Sequence, residues 1–234
     1  MTTIIGVKAE KGKKNQRGIV LGSDGHLTSI KYDWGNGNEI GKTRFPYTKL
    51  YVSRDGLFAL GLTGVNDELY ANFFNALLKG KYDLKSVIKK GKFEEFERLN
   101  ASRWDGRHPK LEISNEFLLA TRFEEPKLYH VWTLGRVEEI TGRSLGGGSK
   151  YSGDHIQREL ERTGRELPDI TMSYALKLVN DGLIGADKDP HSSGLFDIVV
   201  ATEEKMFNFE KEIKKRMGKA RKDTFSFIRE QVLI

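Results

Sequence analysis

Blocks of strand-like sequence alternate with blocks of helix-like sequence along this chain. Apolar runs bounded by turn residues predict strands, and apolar residues at helical spacing predict helices. In chain order these are strands within 3–62, helices within 67–99, strands within 115–141, helices within 149–183 and a strand at 195–201. Runs of strands followed by runs of helices favour a layered α+β domain with antiparallel sheets.

One break and one loop interrupt these blocks. Gly91 divides the second helical stretch, Leu84 to Leu99, in two. The segment from Lys31 to Tyr47 holds three glycines and a proline, a composition that predicts a long loop. Loops of that length in compact domains are often functional.

Size and composition favour one folded domain. The chain has 234 residues, of which 38% are apolar and 10% aromatic, enough for a sizeable core. It shows no linker, repeat or low-complexity segment, which predicts a single domain over residues 1–234. The absence of cysteine excludes disulfides, thiol catalysis and thiolate metal sites.

The charges and the apolar runs limit the expected partners. The 39 basic and 33 acidic residues are mostly interspersed, which is typical of a solvated surface. A basic cluster within 211–222 could bind phosphates, but a solvated helix face or a subunit contact is favoured, and we expect no nucleic acid. No apolar run approaches the roughly 18–20 residues that span a bilayer, and no signal-peptide pattern is present. We therefore expect a soluble, cytoplasmic protein without membrane contact, metal or other cofactor.

The first residues allow a specific chemistry. Removal of Met1 would leave Thr2 with its hydroxyl and a free α-amine on the same residue. That amine has an ordinary pKa of about 8, so it can accept the hydroxyl's proton and make the oxygen a nucleophile. The competing interpretation is that Thr2 and Thr3, both good strand formers, simply begin a strand.

Several segments together resemble the proteasome β-subunits and the HslV peptidase. The opening Thr2-Thr3-Ile4-Ile5-Gly6-Val7 and the segment from Gly18 to Thr28 resemble the family's paired threonines and Asp-containing turn. Gly61-Leu62-Thr63-Gly64 and Asp189-Pro190-His191-Ser192-Ser193-Gly194 resemble two later elements. The resemblance implies a four-layer αββα sandwich of the N-terminal-nucleophile (Ntn) hydrolase type, and a threonine-type peptidase or amidohydrolase.

The resemblance also implies roles for eight residues. Four would act in the reaction: Thr2 as nucleophile, Lys49 with Asp24 beside it, and the Gly64 N–H as oxyanion donor. Asp189 and Ser192 would orient the terminal amine and a water. Thr28 and His26 would contact the substrate.

The roles are physically coherent, although each residue also has an ordinary explanation. A charged lysine lowers the cost of forming an alkoxide, and an aspartate fixes its position. A glycine lets a backbone N–H approach an oxyanion without a side chain in the way. Alternatively, Asp24 closes a turn, Lys49 points to solvent and Gly64 serves only the strand-to-helix turn.

Departures from the family pattern leave other functions open. Gly146-Gly147-Gly148 stands where the family has Gly-Ser-Gly, and His26 stands where Arg or Gln is more usual. A non-catalytic scaffold subunit and a narrow-specificity Ntn amidohydrolase or transpeptidase are the alternatives. The resemblance implies a peptide or protein substrate and a homo-oligomeric ring; whether an ATPase partner exists is unknown.

Overall fold

The computed structural model describes residues 3–13, 16–24, 26–32, 39–46, 49–64, 68–103, 115–188, 196–209, 228 and 230–231. Over these residues the chain is α+β, and every pair of neighbouring strands in its sheets is antiparallel. The predicted α+β class with two antiparallel sheets is therefore confirmed.

The first large sheet has five strands in the order β10-β1-β2-β11-β12. Its three central strands are buried along almost their whole length, because both faces of this sheet are covered. The sequence pattern does not predict β10, which pairs with β1 so that Gly146 lies opposite Thr3. The strands are β1 (Thr3–Ala9), β2 (Gly18–Asp24), β10 (Gly142–Gly146), β11 (Phe196–Thr202) and β12 (Met206–Asn208).

The second large sheet also has five strands, in the order β5-β6-β7-β8-β9, so each strand pairs with its neighbour in the chain. The turn between its first two strands is closed by the Asp55 carboxylate, which accepts hydrogen bonds from Ser53 Oγ and the Leu57 N–H. The strands are β5 (Leu50–Val52), β6 (Phe58–Leu62), β7 (Phe117–Thr121), β8 (Lys127–Val131) and β9 (Val137–Ile140).

Five helices are present in the described part of the chain. The predicted interruption at Gly91 is confirmed: this residue ends α2 in the left-handed conformation, with φ of 67°, which glycine adopts without strain. No helix in the described ranges is both long and apolar enough to cross a membrane. The helices are α1 (Glu68–Leu78), α2 (Leu84–Lys90), α3 (Glu94–Arg103), α4 (Ser149–Thr163) and α5 (Met172–Ala186).

Three apolar clusters hold these elements together. The two large sheets enclose one cluster between them, which includes Ile4, Leu50 and Leu118. A second cluster joins the other face of the first sheet to α4 and α5, and a third joins the second sheet to α1, α2 and α3. Because side chains alternate along a strand, Ile4 packs on Gly61 of β6 while Ile5 packs on Gly182 of α5.

The prediction of a loop from Lys31 to Tyr47 is wrong for most of that segment. Strands β3 (His26–Tyr32) and β4 (Glu39–Pro46) form a two-stranded antiparallel sheet over that region. Their register runs from His26 opposite Pro46 to Tyr32 opposite Glu39. Glycine, lysine and glutamate are poor strand formers, but each strand supplies the other's backbone hydrogen bonds, and sequence composition does not reveal that pairing. Residues 33–38 and Tyr47 lie outside the described residues.

Candidate active site

A buried ion pair joins the two large sheets. Asp24 is the last residue of β2 in the first sheet, and Lys49 directly precedes β5 in the second. Lys49 Nζ lies 2.9 Å from Asp24 Oδ1, and each side chain is only 3% exposed. The Lys49 carbonyl accepts a hydrogen bond from the Leu62 N–H at 3.2 Å, which fixes it beside the end of β6. The fold thus brings together two residues that are 25 positions apart in the sequence.

The same carboxylate oxygen also holds the start of the first strand. The Thr3 N–H donates to Asp24 Oδ1 at 2.6 Å, so this oxygen accepts from both Thr3 and Lys49. Thr3 Oγ1 accepts from the Gly148 N–H at 3.1 Å, at the beginning of α4. Thr3 is completely buried, and the end of β1 is therefore fixed both to the ion pair and to a helix.

Burial controls the electrostatics of the pair. Burial raises the pKa of Asp24 above its ordinary 3.8, and the Lys49 ammonium offsets this only in part. Burial also lowers the pKa of Lys49 below its ordinary 10.5, against the opposing charges of Asp24 and Asp197. Both shifts favour neutral forms, because loss of hydration penalises each charge. Lys49 is therefore a better proton acceptor near neutral pH than a solvent-exposed lysine.

Gly64 lies two residues after the end of β6, close to the Leu62 N–H that bonds the Lys49 carbonyl. Its φ of +96° lies in the left-handed region, which favours glycine. A Cβ built at Gly64 would also lie only 1.7 Å from Asn115 Oδ1. The local fold thus requires glycine here for steric reasons, whether or not its N–H has a chemical role.

The other predicted site residues are not placed by the structure in the same detail. Thr2, Asp189 and Ser192 lie outside the described residues. His26 and Thr28 belong to β3, where the backbone pairing is described but the side chains are not. The segment that holds Asp189 and Ser192 continues into Phe196, which pairs with Asp24 at the end of β2.

Sequence reasoning missed several residues at this site. Asp197 is a buried acid in the apolar strand β11, and its charge acts on Lys49. A single carboxylate within Phe-Asp-Ile-Val-Val is the sequence signal that could have identified it. The Gly148 donor gives no such signal, and neither does Ser152, whose Oγ contacts the Gly148 carbonyl at 3.1 Å. Both depend on how α4 meets β1.

The chain matches no protein-family model and no curated protein sequence. In the described part of the chain, no three His, Cys, Asp or Glu side chains are grouped so that they could hold a metal ion. The candidate function therefore depends on the contacts around Asp24 and Lys49.

We expect strong coupling between Asp24 and Lys49 in a double-mutant cycle. Asp24→Asn and Lys49→Met should each destabilise the fold by about 3–5 kcal/mol, because each leaves one buried charge without its partner. The double variant should lose much less than the sum of the two. Urea unfolding gives all four free energies. If the two effects add to within about 0.5 kcal/mol, the two residues are not coupled.

The lowered pKa of Lys49 predicts a pH dependence of stability. Between that lowered pKa and 10.5, the unfolded chain binds more protons than the folded chain. The contribution of Lys49 to the free energy of unfolding is therefore complete above pH 10.5, and it is lost as the pH falls through the pKa of Lys49 in the folded state. The unfolding free energy of the wild type minus that of Lys49→Met should therefore increase as the pH rises towards 10.5. A constant difference across this range would contradict the lowered pKa.

Proposed function

We propose that this chain is an N-terminal threonine hydrolase of the proteasome β-subunit and HslV type, which cleaves amide bonds after removal of Met1. One observation carries the proposal: Asp24 Oδ1 accepts from both Lys49 Nζ and the Thr3 N–H. Thr2 is covalently bonded to that Thr3 nitrogen. A threonine hydroxyl with its own amine would thus be attached next to a buried lysine–aspartate pair.

The arrangement of the sheets and helices supports the same class. One apolar cluster lies between the two large sheets, and helices pack against the far face of each. This arrangement supports the four-layer αββα sandwich that the proposed Ntn-hydrolase fold requires.

The proposed reaction begins with proton transfer within Thr2. Its α-amine takes the hydroxyl proton, and the oxygen attacks the carbonyl carbon of a peptide or protein substrate. Lys49 stabilises the developing alkoxide, and Asp24 fixes the lysine. Because burial lowers the pKa of Lys49, the lysine can also exchange a proton during the reaction.

The second half of the reaction releases the two products. The Gly64 N–H holds the oxyanion, the carbon–nitrogen bond breaks, and the leaving amine takes the proton from the Thr2 ammonium. An ester on Thr2 remains, and water, or another amine if the substrate provides one, releases the acyl group. In this proposal Asp189 and Ser192 orient the amine and the water, and Thr28 and His26 contact the substrate.

A non-catalytic scaffold is the second candidate, and one observation favours it. The Asp24–Lys49 pair is almost completely buried and links the two sheets, as a purely structural ion pair would. In that case the pair would hold the sheets together without any reaction at Thr2. A covalent probe separates the two candidates.

We expect an epoxyketone or β-lactone probe to form an adduct on Thr2. The protein is first shown by intact mass to lack Met1, and peptide mapping then locates the adduct. Thr2→Ala should form none, and Lys49→Met, shown to be folded by circular dichroism, should react at least about 10²-fold more slowly. Ser149→Ala is the matched control and should react like the wild type. No adduct on a confirmed free Thr2, across several probes, would favour the scaffold.

The proposal includes a homo-oligomeric ring. A peptidase with broad specificity threatens other proteins, and a closed ring would restrict access to its sites. Light scattering at micromolar concentration should therefore give a mass several times that of the 26.6 kDa chain. A stable monomer would favour the narrow-specificity amidohydrolase or transpeptidase instead. An ATPase partner is not identified.

A further inference from the structure

The backbone of Asn115 and Glu116 holds the turn that contains Gly64. The Glu116 carbonyl accepts from both the Thr63 N–H at 3.0 Å and Thr63 Oγ1 at 3.1 Å. Asn115 is 2% exposed, and its Oδ1 fills the space beside Gly64. The position of the Gly64 N–H therefore depends on where residues 115 and 116 lie.

The Glu116 side chain is in turn fixed by the neighbouring strand. Its Oε2 lies 3.0 Å from His130 Nε2, and its Oε1 lies 3.4 Å from Thr133 Oγ1. A carboxylate accepts hydrogen bonds, so His130 Nε2 is the donor in this contact. The Glu116 side chain is 22% exposed, whereas the His130 side chain is completely buried. Glu116 therefore connects the turn that contains Gly64 to a completely buried side chain.

His130 is anchored between the two large sheets. It pairs with Leu118 and shares a strand face with Leu128, and both leucines belong to the cluster between the sheets. Its ring centre lies 4.1 Å from that of Trp132. The other ring nitrogen, Nδ1, is buried and has no hydrogen-bond partner among the residues that the structure describes. Glu116 is thus the hydrogen-bond partner that orients this ring.

We propose that Glu116 and His130 are a positioning pair, which holds the Gly64 N–H where it can stabilise the oxyanion. The inference rests on the proposed function, and neither residue touches the reacting atoms. The pair acts through a short series of contacts: His130 fixes the Glu116 side chain, the Glu116 carbonyl fixes Thr63, and Thr63 precedes Gly64. A glutamate hydrogen-bonded to a completely buried histidine is more than the strand ladder alone requires.

Two pairs of variants test the inference. Glu116→Leu and His130→Leu remove the contact, whereas Glu116→Gln and His130→Gln keep an acceptor or a donor at the same place. Glu138→Leu is the control, because Glu138 lies opposite His130 and bonds Trp132 Nε1 at 3.0 Å, but does not contact the Gly64 turn. The measurements are the maximal rate of β-lactone labelling of Thr2, the probe concentration that gives half of that rate, and amide hydrogen exchange of residues 61–64.

We expect the leucine variants of the pair to label Thr2 up to about 10²-fold more slowly, because a small displacement of a catalytic group is costly. The half-maximal concentration should change less than about threefold, since ground-state binding is retained. The glutamine variants and Glu138→Leu should label like the wild type, and exchange at 61–64 should rise only in the leucine variants of the pair. This pattern would support the inference.

Two other results are distinguishable from that pattern. If wild type labels and the leucine variants of the pair label equally fast, the inference is wrong while the proposed function stands. If wild type with a confirmed free Thr2 does not label, the proposed function is wrong, and exchange alone tests the pair. Unchanged exchange at 61–64 in Glu116→Leu would then overturn the positioning role as well.

Discussion

The Asp24 carboxylate is the contact on which this structure depends most. One of its oxygens accepts from Thr3 at the start of β1 and from Lys49 at the start of β5, so it joins the two sheets where their strands meet. Removing two charges from water is costly, and a pair of apolar residues could often fill the space as well. In the proposed function, the pair holds a lysine with a lowered pKa beside Thr3, the residue that follows Thr2.

The two sheets contribute different parts of the proposed site. The first supplies Asp24, Thr3 and, through α4, the Gly148 N–H, and Thr3 is hydrogen-bonded to each of the other two. The second supplies Lys49 and the Gly64 turn, with the Glu116–His130 pair behind that turn. The apolar cluster between the sheets fixes the distance between these two halves. A site divided in this way is sensitive to any substitution that shifts one sheet relative to the other.

The pattern of residue types predicted much of the fold and only part of the site. The apolar strand β1 and the glycine break between α2 and α3 follow from local sequence, and both are present. The pairing of β3 with β4 was missed, because poor strand formers become strands when a partner supplies their hydrogen bonds. Asp197 and the Glu116–His130 pair were also missed, because a single acid or histidine carries no signal of its partner.

The sequence by itself determined the periodicity of each element, the need for glycine at sharp turns and the presence of a threonine, an aspartate and a lysine suited to one chemistry. Only the tertiary structure decided that Asp24 and Lys49 form a buried ion pair and that the Thr3 N–H bonds the same carboxylate oxygen of Asp24. The physical reason is that hydrogen bonds and pKa shifts depend on distance and hydration. Residues far apart in the chain form such hydrogen bonds and undergo such pKa shifts only when the sheets pack together.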